Sequence, residues 1–169
     1  LAENAVVAAN ETQAEAFWHL RESISPAERA IGPAMQHDIS VPVARMAEFV
    51  ETATPQIEGR FPGTRAVGFG HLGDGNIHYH VLAPAGAVRG VWENAEGKAI
   101  SAFVHDLVTE FGGSISAEHG IGQMKREELG RLGDPVALDL MRTIKRALDP
   151  QGILNPGKLV PLAPGAATP

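Results

Sequence analysis

The stretch with the strongest hold on the fold is residues 64–83, "TRAVGFGHLGDGNIHYHVLA". Two runs rich in β-branched and aromatic residues flank Gly73-Asp74-Gly75-Asn76. Asp-Gly between such runs predicts an antiparallel hairpin. A bend centred on Asp74-Gly75 sets Leu72 opposite Ile77 and His71 directly opposite His78. Residues directly opposite each other have Cβ atoms about 4.5–5.5 Å apart on one face. His80 lies two residues past His78 and shares its face, roughly 7 Å further along. Two or three imidazoles therefore meet on one patch without help from distant sequence. Asp74 reads as a turn residue.

The rest of the chain arranges itself around that hairpin. Residues 2–24 read as one helix, or two with a break, with Phe17, Leu20 and Ile24 at helical spacing facing a core. Ser25-Pro26 ends it, because the residue before a proline is pushed out of the α region. Residues 27–36 read as a loop and 37–41 as a strand, with Ile39 and Val41 on one face and Asp38 and Ser40 on the other. Pro42 opens a helix that runs to about Thr54, and residues 55–63 form a loop. A helix over 91–111 precedes a short strand in "GGSISAE". Helices near 123–129 and 135–148 follow, with Lys145 and Arg146 at the last helix's C-terminus, where cations suit the macrodipole. "LDPQGILNPGKLVP" closes in turns. The order β-α-β-β-α-β is that of a ferredoxin-like α+β fold, an antiparallel sheet with helices on one face, plus flanking helices. Residues 1–161 make one domain and 162–169 a disordered Pro/Ala-rich tail.

Composition narrows the function. The chain has 169 residues, is 44% hydrophobic and 20% charged, and carries a net charge of −6. That describes a globular domain, and it argues against nucleic acid, which needs clustered Lys and Arg. With no cysteine there is no disulfide or thiolate chemistry. No stretch reads as a membrane span or a signal peptide, so a cytoplasmic location is the expectation. The chain opens on Leu1 inside a helical pattern, which looks like a cut from a longer protein.

Facing histidines are a natural pair of ligands for a divalent cation, and a catalytic zinc site usually adds a third ligand and keeps one position open. Glu118 in "GSISAEHGIG" is the best third candidate. For Glu118 and His119 to serve one site the chain must leave strand geometry there, which Gly120 and Gly122 make cheap. The other reading of the histidines is a polar, solvated sheet face. "GFGHLG" is not a dinucleotide fingerprint, because it precedes a hairpin and not a helix N-terminus.

"GHLGDGNIHYHV", "GSISAEHGIGQMK" and "MRTIKRALDPQGILNPGKLVP" together resemble the C-terminal domain of FAD-linked oxidases and dehydrogenases of D-2-hydroxy acids, and "GPAMQHDISVPVARM" resembles the same domain's strand and helix. The resemblance runs from about residue 12 to residue 161. It implies an α+β substrate domain that works with an N-terminal FAD-binding domain. It implies that His71, His78 and Glu118 hold zinc or a similar divalent ion, that His119 is the catalytic base, that Arg21 binds the substrate carboxylate and that Ser25 assists. His80 stands where the family commonly has asparagine, a substrate-binding position, and could add a ligand. Gln36 stands where it often has lysine. Asn155, in the turn that runs to Lys158, falls on the cofactor side. The implied partners are a small 2-hydroxy acid, the FAD domain and an electron acceptor, with a homodimer left open. The chain alone is expected to be inactive.

Two other classes compete. One is a stand-alone metal-dependent hydrolase using the same His-His-Glu set. The other is a non-catalytic ferredoxin-like interaction module. An upstream flavin-binding domain in the native protein distinguishes the first reading from both.

Overall fold

The computed structural model describes residues 5–160. The elements run in the order α1 (Glu11–Glu22), α2 (Ile24–Ile31), β1 (Ala34–Ser40), α3 (Met46–Arg60), β2 (Arg65–His71), β3 (Asn76–Leu82), α4 (Val91–Glu110), α5 (Arg126–Leu132) and α6 (Pro135–Leu148). The three strands form an antiparallel sheet in the order β1-β3-β2. Ser114 adds a single antiparallel bridge to Ser40 on the outer side of β1. Placing that bridge first gives a 4-1-3-2 order with its fourth strand cut to one residue pair, so the α+β, ferredoxin-like arrangement holds with three full strands. The expected strand in "GGSISAE" does not extend further because its backbone turns away to bond Asp38.

Strand alternation divides the sheet into two faces. Ile39, Ile77, Tyr79 and Val81 point to one face and are fully or almost fully buried with Phe49, Ala53 and Ile57 of α3 and Ile100, Val104 and Val108 of α4. Burying each of the larger side chains contributes about 1.5–3 kcal/mol. Phe49, Ala53 and Ile57 recur every four residues. That stripe carries α3 through Pro55 to Arg60, six residues past the expected end, although the proline removes one helical hydrogen bond. Both helices of the split β-α-β unit thus cover one face. The opposite face carries Asp38, His78, His80 and His71.

The N-terminal region differs from its sequence pattern. α1 starts at Glu11, where Asn10 caps it by accepting the N–H of Gln13 at 3.0 Å. The break comes at Ser23, not at Ser25-Pro26, and α2 occupies residues expected to be loop. Pro26 is tolerated because it sits in the first turn of α2, where an N–H has no helical partner. Phe17 and Leu20 do not face a core: they are 42% and 68% exposed, and no residue of α1 is buried. α5 starts at Arg126 instead of near residue 123. The proposed tail, and the first residues of the expected N-terminal helix, lie outside the described residues.

One buried polar residue belongs to the core side. His37 donates from Nδ1 to the Tyr79 carbonyl at 3.0 Å, so its Nε2 accepts from the Ser101 hydroxyl at 3.0 Å. Burial, with the nearby His105, pushes its pKa down to about 3 against the Tyr79 hydrogen bond. Between about 3 and the ordinary 6.5 the unfolded chain therefore binds the proton that the folded chain refuses. The stabilisation is complete above pH 6.5 and is lost as the pH falls toward 3. We expect denaturation midpoints in urea to drop over that window, with a His37 contribution of up to about 1.4 kcal/mol per pH unit. His37→Gln should flatten the slope. An identical slope in both proteins would remove His37 as its source.

Candidate metal and substrate site

The hairpin turn is Leu72–Gly75 and not Gly73–Asn76, which moves the register by two residues. His71 faces Asn76 and His78 faces Phe69. His71 is therefore not directly opposite His78 but diagonal to it. The cause is tertiary. The Gly75 carbonyl accepts the Val41 N–H at 3.0 Å, and a Cβ on Gly75 would stand 2.1 Å from the Val41 carbonyl oxygen. Asp74 closes the turn by accepting the Asn76 N–H at 3.0 Å. The end of β1 thus fixes where the bend falls. A slip of two residues keeps every side chain on its face, and diagonal neighbours remain within reach of long side chains. The His71 and His78 rings meet edge to face with centroids 5.5 Å apart.

The residues of this face lie in rows across the sheet. Ser40, Asn76 and His71 form one row, Asp38, His78 and Phe69 the next, and Gln36, His80 and Val67 the one after. Glu118 comes over the first two rows. Its Oε1 is 3.6 Å from His71 Nδ1 and its Oε2 is 3.9 Å from His78 Nε2. Among the described residues these three are the group able to hold a metal ion, with one ligand atom from each and all within 4.8 Å of one another. Two imidazole nitrogens and a carboxylate oxygen suit a zinc-type cation, whose bonds to such atoms are about 2.0–2.2 Å. A shared ion would draw the donors together by only fractions of an ångström in the two closer pairs.

Asp38 is the residue that the sequence reading undervalued. It is 4% exposed, and its Oδ2 accepts the backbone N–H groups of Glu118 at 2.7 Å and His119 at 2.9 Å. Two successive N–H groups cannot converge on one acceptor from a regular strand. The chain has left strand geometry here, and Gly120 and Gly122 continue it with φ of 71° and 55°. Asp38 Oδ1 accepts from the Asn76 amide at 3.2 Å and lies 3.6 Å from His78 Nδ1. Oδ2 lies 3.8 Å from His119 Nδ1. Burial alone would raise this carboxyl. The His119 and Glu118 N–H groups, the His119 charge and Asn76 together outweigh it and hold the group below its ordinary pKa. The signal that could have found it was "HDIS" itself: an aspartate on an edge strand, in register with a candidate ligand. His78, in turn, is lowered by burial, against the pull of Asp38 and Glu118.

The other expected residues are placed as follows. The Arg21 guanidinium lies over the Phe69 ring at 5.3 Å, and Phe69 contacts both His78 and His80 at 5.2 and 5.1 Å between ring centroids. Arg21 is thus one ring away from the trio. Ser25 lies on α2, half-buried, three residues before Glu28. His80 stands apart from that group of three: its Nδ1 is 2.5 Å from Glu28 Oε2, and both residues are buried. His119 is exposed and borders a cleft of about 720 Å³ shared with Gln36, His37, Ser101, His105 and Lys125. Asn155 sits in a surface turn with φ of 46°. Neighbouring Lys158 bonds Gln123, and the Leu159 N–H reaches the Gly122 carbonyl at 2.8 Å, so this turn is stitched to the loop after His119. Gly68 and Gly70 lie inside β2, away from any helix N-terminus.

The chain matches the family model described as "FAD linked oxidases, C-terminal domain" over residues 1–159. It is 36% identical, over 95% of its length, to "Probable D-2-hydroxyglutarate dehydrogenase, mitochondrial" of Oryza sativa subsp. japonica, covering 27% of that protein. It is 35% identical over 91% of its length to "D-2-hydroxyglutarate dehydrogenase" of Stutzerimonas stutzeri, covering 33% of it. It is 37% identical over 92% of its length to the mitochondrial protein of that name from Rattus norvegicus, covering 28% of it. The chain therefore spans about a quarter to a third of the length of the curated relatives it matches.

Removing the Asp38 carboxylate orphans two backbone N–H groups at once, and bonds to a charged acceptor are worth about 1.5–3 kcal/mol each. We expect Asp38→Ala to cost about 3 kcal/mol in urea unfolding and to speed hydrogen exchange at Glu118 and His119. Unchanged exchange at those two amides would show that the loop holds itself.

Proposed function

The chain belongs to the family of C-terminal domains of FAD-linked oxidases, and on that premise we propose that it supplies the substrate and divalent-metal site of an enzyme that oxidises a D-2-hydroxy acid to the 2-oxo acid. The observation that carries this reading is the convergence of His71, His78 and Glu118 within 4.8 Å, with His119 tied to them through Asp38. His71, His78 and Glu118 would hold a divalent cation, which would supply the acidification of a substrate hydroxyl, and FAD would supply the acceptor for the hydride leaving the α-carbon.

The chain's own residues do the rest. Arg21 grips the carboxylate with its planar guanidinium, fixing which face of the α-carbon is presented. His119 turns Nδ1 toward Asp38, so a proton held there is steadied by the carboxylate and Nε2 is the atom that takes the hydroxyl proton. Asp38 positions both this base and His78. Ser25 adds a hydroxyl near Arg21 on the adjoining helix.

FAD itself is held mainly by a domain beyond this chain. The paired glycines of β2 form no phosphate cradle, and Asn155 with its turn offers the described residues' contribution on the cofactor side. By itself the chain oxidises nothing. A metal-dependent hydrolase is disfavoured by the family match, which runs through all four motifs.

In the full-length protein we expect His71→Ala and His78→Ala each to strip most of the bound divalent metal, read by elemental analysis. His119→Gln should keep the metal and lower kcat by about a hundredfold or more. Full metal content in both alanine variants would sink the site. A His119→Gln enzyme at native rate would sink the base.

A further inference from the structure

Arg21 sits in the last turn of a helix that buries no residue, and α1 packs chiefly on α2. Ser23 alone joins the two helices and stiffens the joint. Its N–H and its hydroxyl both donate to the His19 carbonyl, at 3.0 and 2.6 Å, and its own carbonyl accepts the Ala27 N–H at 3.0 Å. The last turn of α1 therefore moves with α2.

α2 in turn buries one residue, Glu28. Its Oε2 lies 2.5 Å from His80 Nδ1 on β3, and both side chains are buried. Beyond the helix, the Ala83 N–H donates to the Pro33 carbonyl at 3.0 Å, and Arg89 donates to the Arg29 and Gly32 carbonyls at 3.3 and 2.9 Å. Those bonds hold the C-terminal end of α2, and the Glu28–His80 pair holds its middle. A carboxylate and an imidazole paired out of water do not slide past one another, because any other register leaves a buried polar group without its partner. Apolar contacts alone would allow such a slide.

The same imidazole leads back to Arg21. His80 meets the Phe69 ring edge to face with centroids 5.1 Å apart, and the Arg21 guanidinium lies over that ring at 5.3 Å. The contacts close into a loop: from Arg21 through Ser23 and α2 to Glu28, across to His80, through Phe69 and back to Arg21. Phe69 also touches His78, so the loop shares a wall with the metal-ligand trio.

Building on the proposed function, we propose that Glu28 is a positioning residue: by pinning α2 to His80 it fixes Arg21 over Phe69 and so sets where the substrate carboxylate is gripped relative to His71, His78 and Glu118. Glu28 touches no substrate. Its loss is felt where the carboxylate binds and not where the hydroxyl proton is taken. A gripping group displaced by about 1 Å can cost up to about a hundredfold.

The test is a double-mutant cycle in the full-length flavoprotein, following flavin reduction by D-2-hydroxyglutarate and by D-lactate. Glu28→Ala should raise KM for the faster acid by about tenfold, with kcat within about threefold of native and the divalent metal retained. Glu28→Gln keeps an acceptor for the imidazole N–H and should bring KM back to within about threefold of native. Arg21→Gln should itself raise KM, and Glu28→Ala in that background should add less than about twofold, because the two residues act as one. Should Glu28→Ala fail to fold, Glu28→Leu fills the space without the pair and carries the same expectations. Hydrogen exchange gives a reading that needs no turnover: amides of α1 should exchange faster in the Glu28 variant, with those of α3 and α4 unchanged. A native KM, full additivity with Arg21→Gln, or unchanged exchange in α1 overturns the inference and leaves the proposed reaction standing. A native KM in Arg21→Gln removes the carboxylate grip and the inference with it. Reduction by neither acid overturns the proposed reaction and the inference together.

Discussion

The whole site hangs on one buried carboxylate. Asp38 reaches across from β1 and accepts two consecutive N–H groups of a loop 80 residues away in sequence. Its other oxygen is bonded to the first residue of β3 and lies beside His78. A carboxylate kept ionised and buried needs several donors to offset its lost hydration. The chain supplies them from three elements, and in doing so ties the hairpin, the edge strand and the Glu118-His119 loop into one body. The same bonds explain why the fourth strand stops at a single bridge. The backbone that would have continued the ladder is already committed to Asp38.

Division of labour between the two faces of the sheet follows from period-2 alternation. One face is dry and built from Ile39, Ile77, Tyr79 and Val81 against α3 and α4. It needs no help from elsewhere to be buried. The other face carries the imidazoles and carboxylates, with α1 and α2 arriving only at its end through Arg21 and Glu28. A rigid sheet backed by a packed core holds the side chains of these three rows in fixed geometry and at set spacings. α6 and the turn after it present Leu140, Ile144, Leu148, Ile153 and Leu154 at more than half exposure. That surface accords with a chain covering only part of its relatives' length.

Where the fold departs from the pattern of its sequence, the physical cause differs from element to element. The hairpin register was off by two because Gly75 is docked on Val41, a contact from outside the hairpin. A shift of two keeps His71 and His78 on one face. α3 outran its expected end because burial of Ala53 and Ile57 outweighs the hydrogen bond lost at Pro55. Phe17 and Leu20 have helical spacing without a core to meet, since periodicity states which residues share a face and not what covers it. His80 was placed on the right face, yet its partner Glu28 comes from a segment read as loop.

By itself the sequence determined what short-range geometry can reach. Asp-Gly between two alternating runs made a hairpin, alternation put His71, His78 and His80 on one face, and paired glycines after Glu118 allowed the chain to leave its strand. Those outcomes depend on backbone sterics within a few residues, which local residue types encode. Tertiary structure decided the rest: where the bend fell, that Asp38 organises the loop, that Glu28 pairs with His80, and which helix face stayed uncovered. Each of those is a contact between residues far apart in the chain, and a contact of that kind exists only once the folded chain has closed the distance.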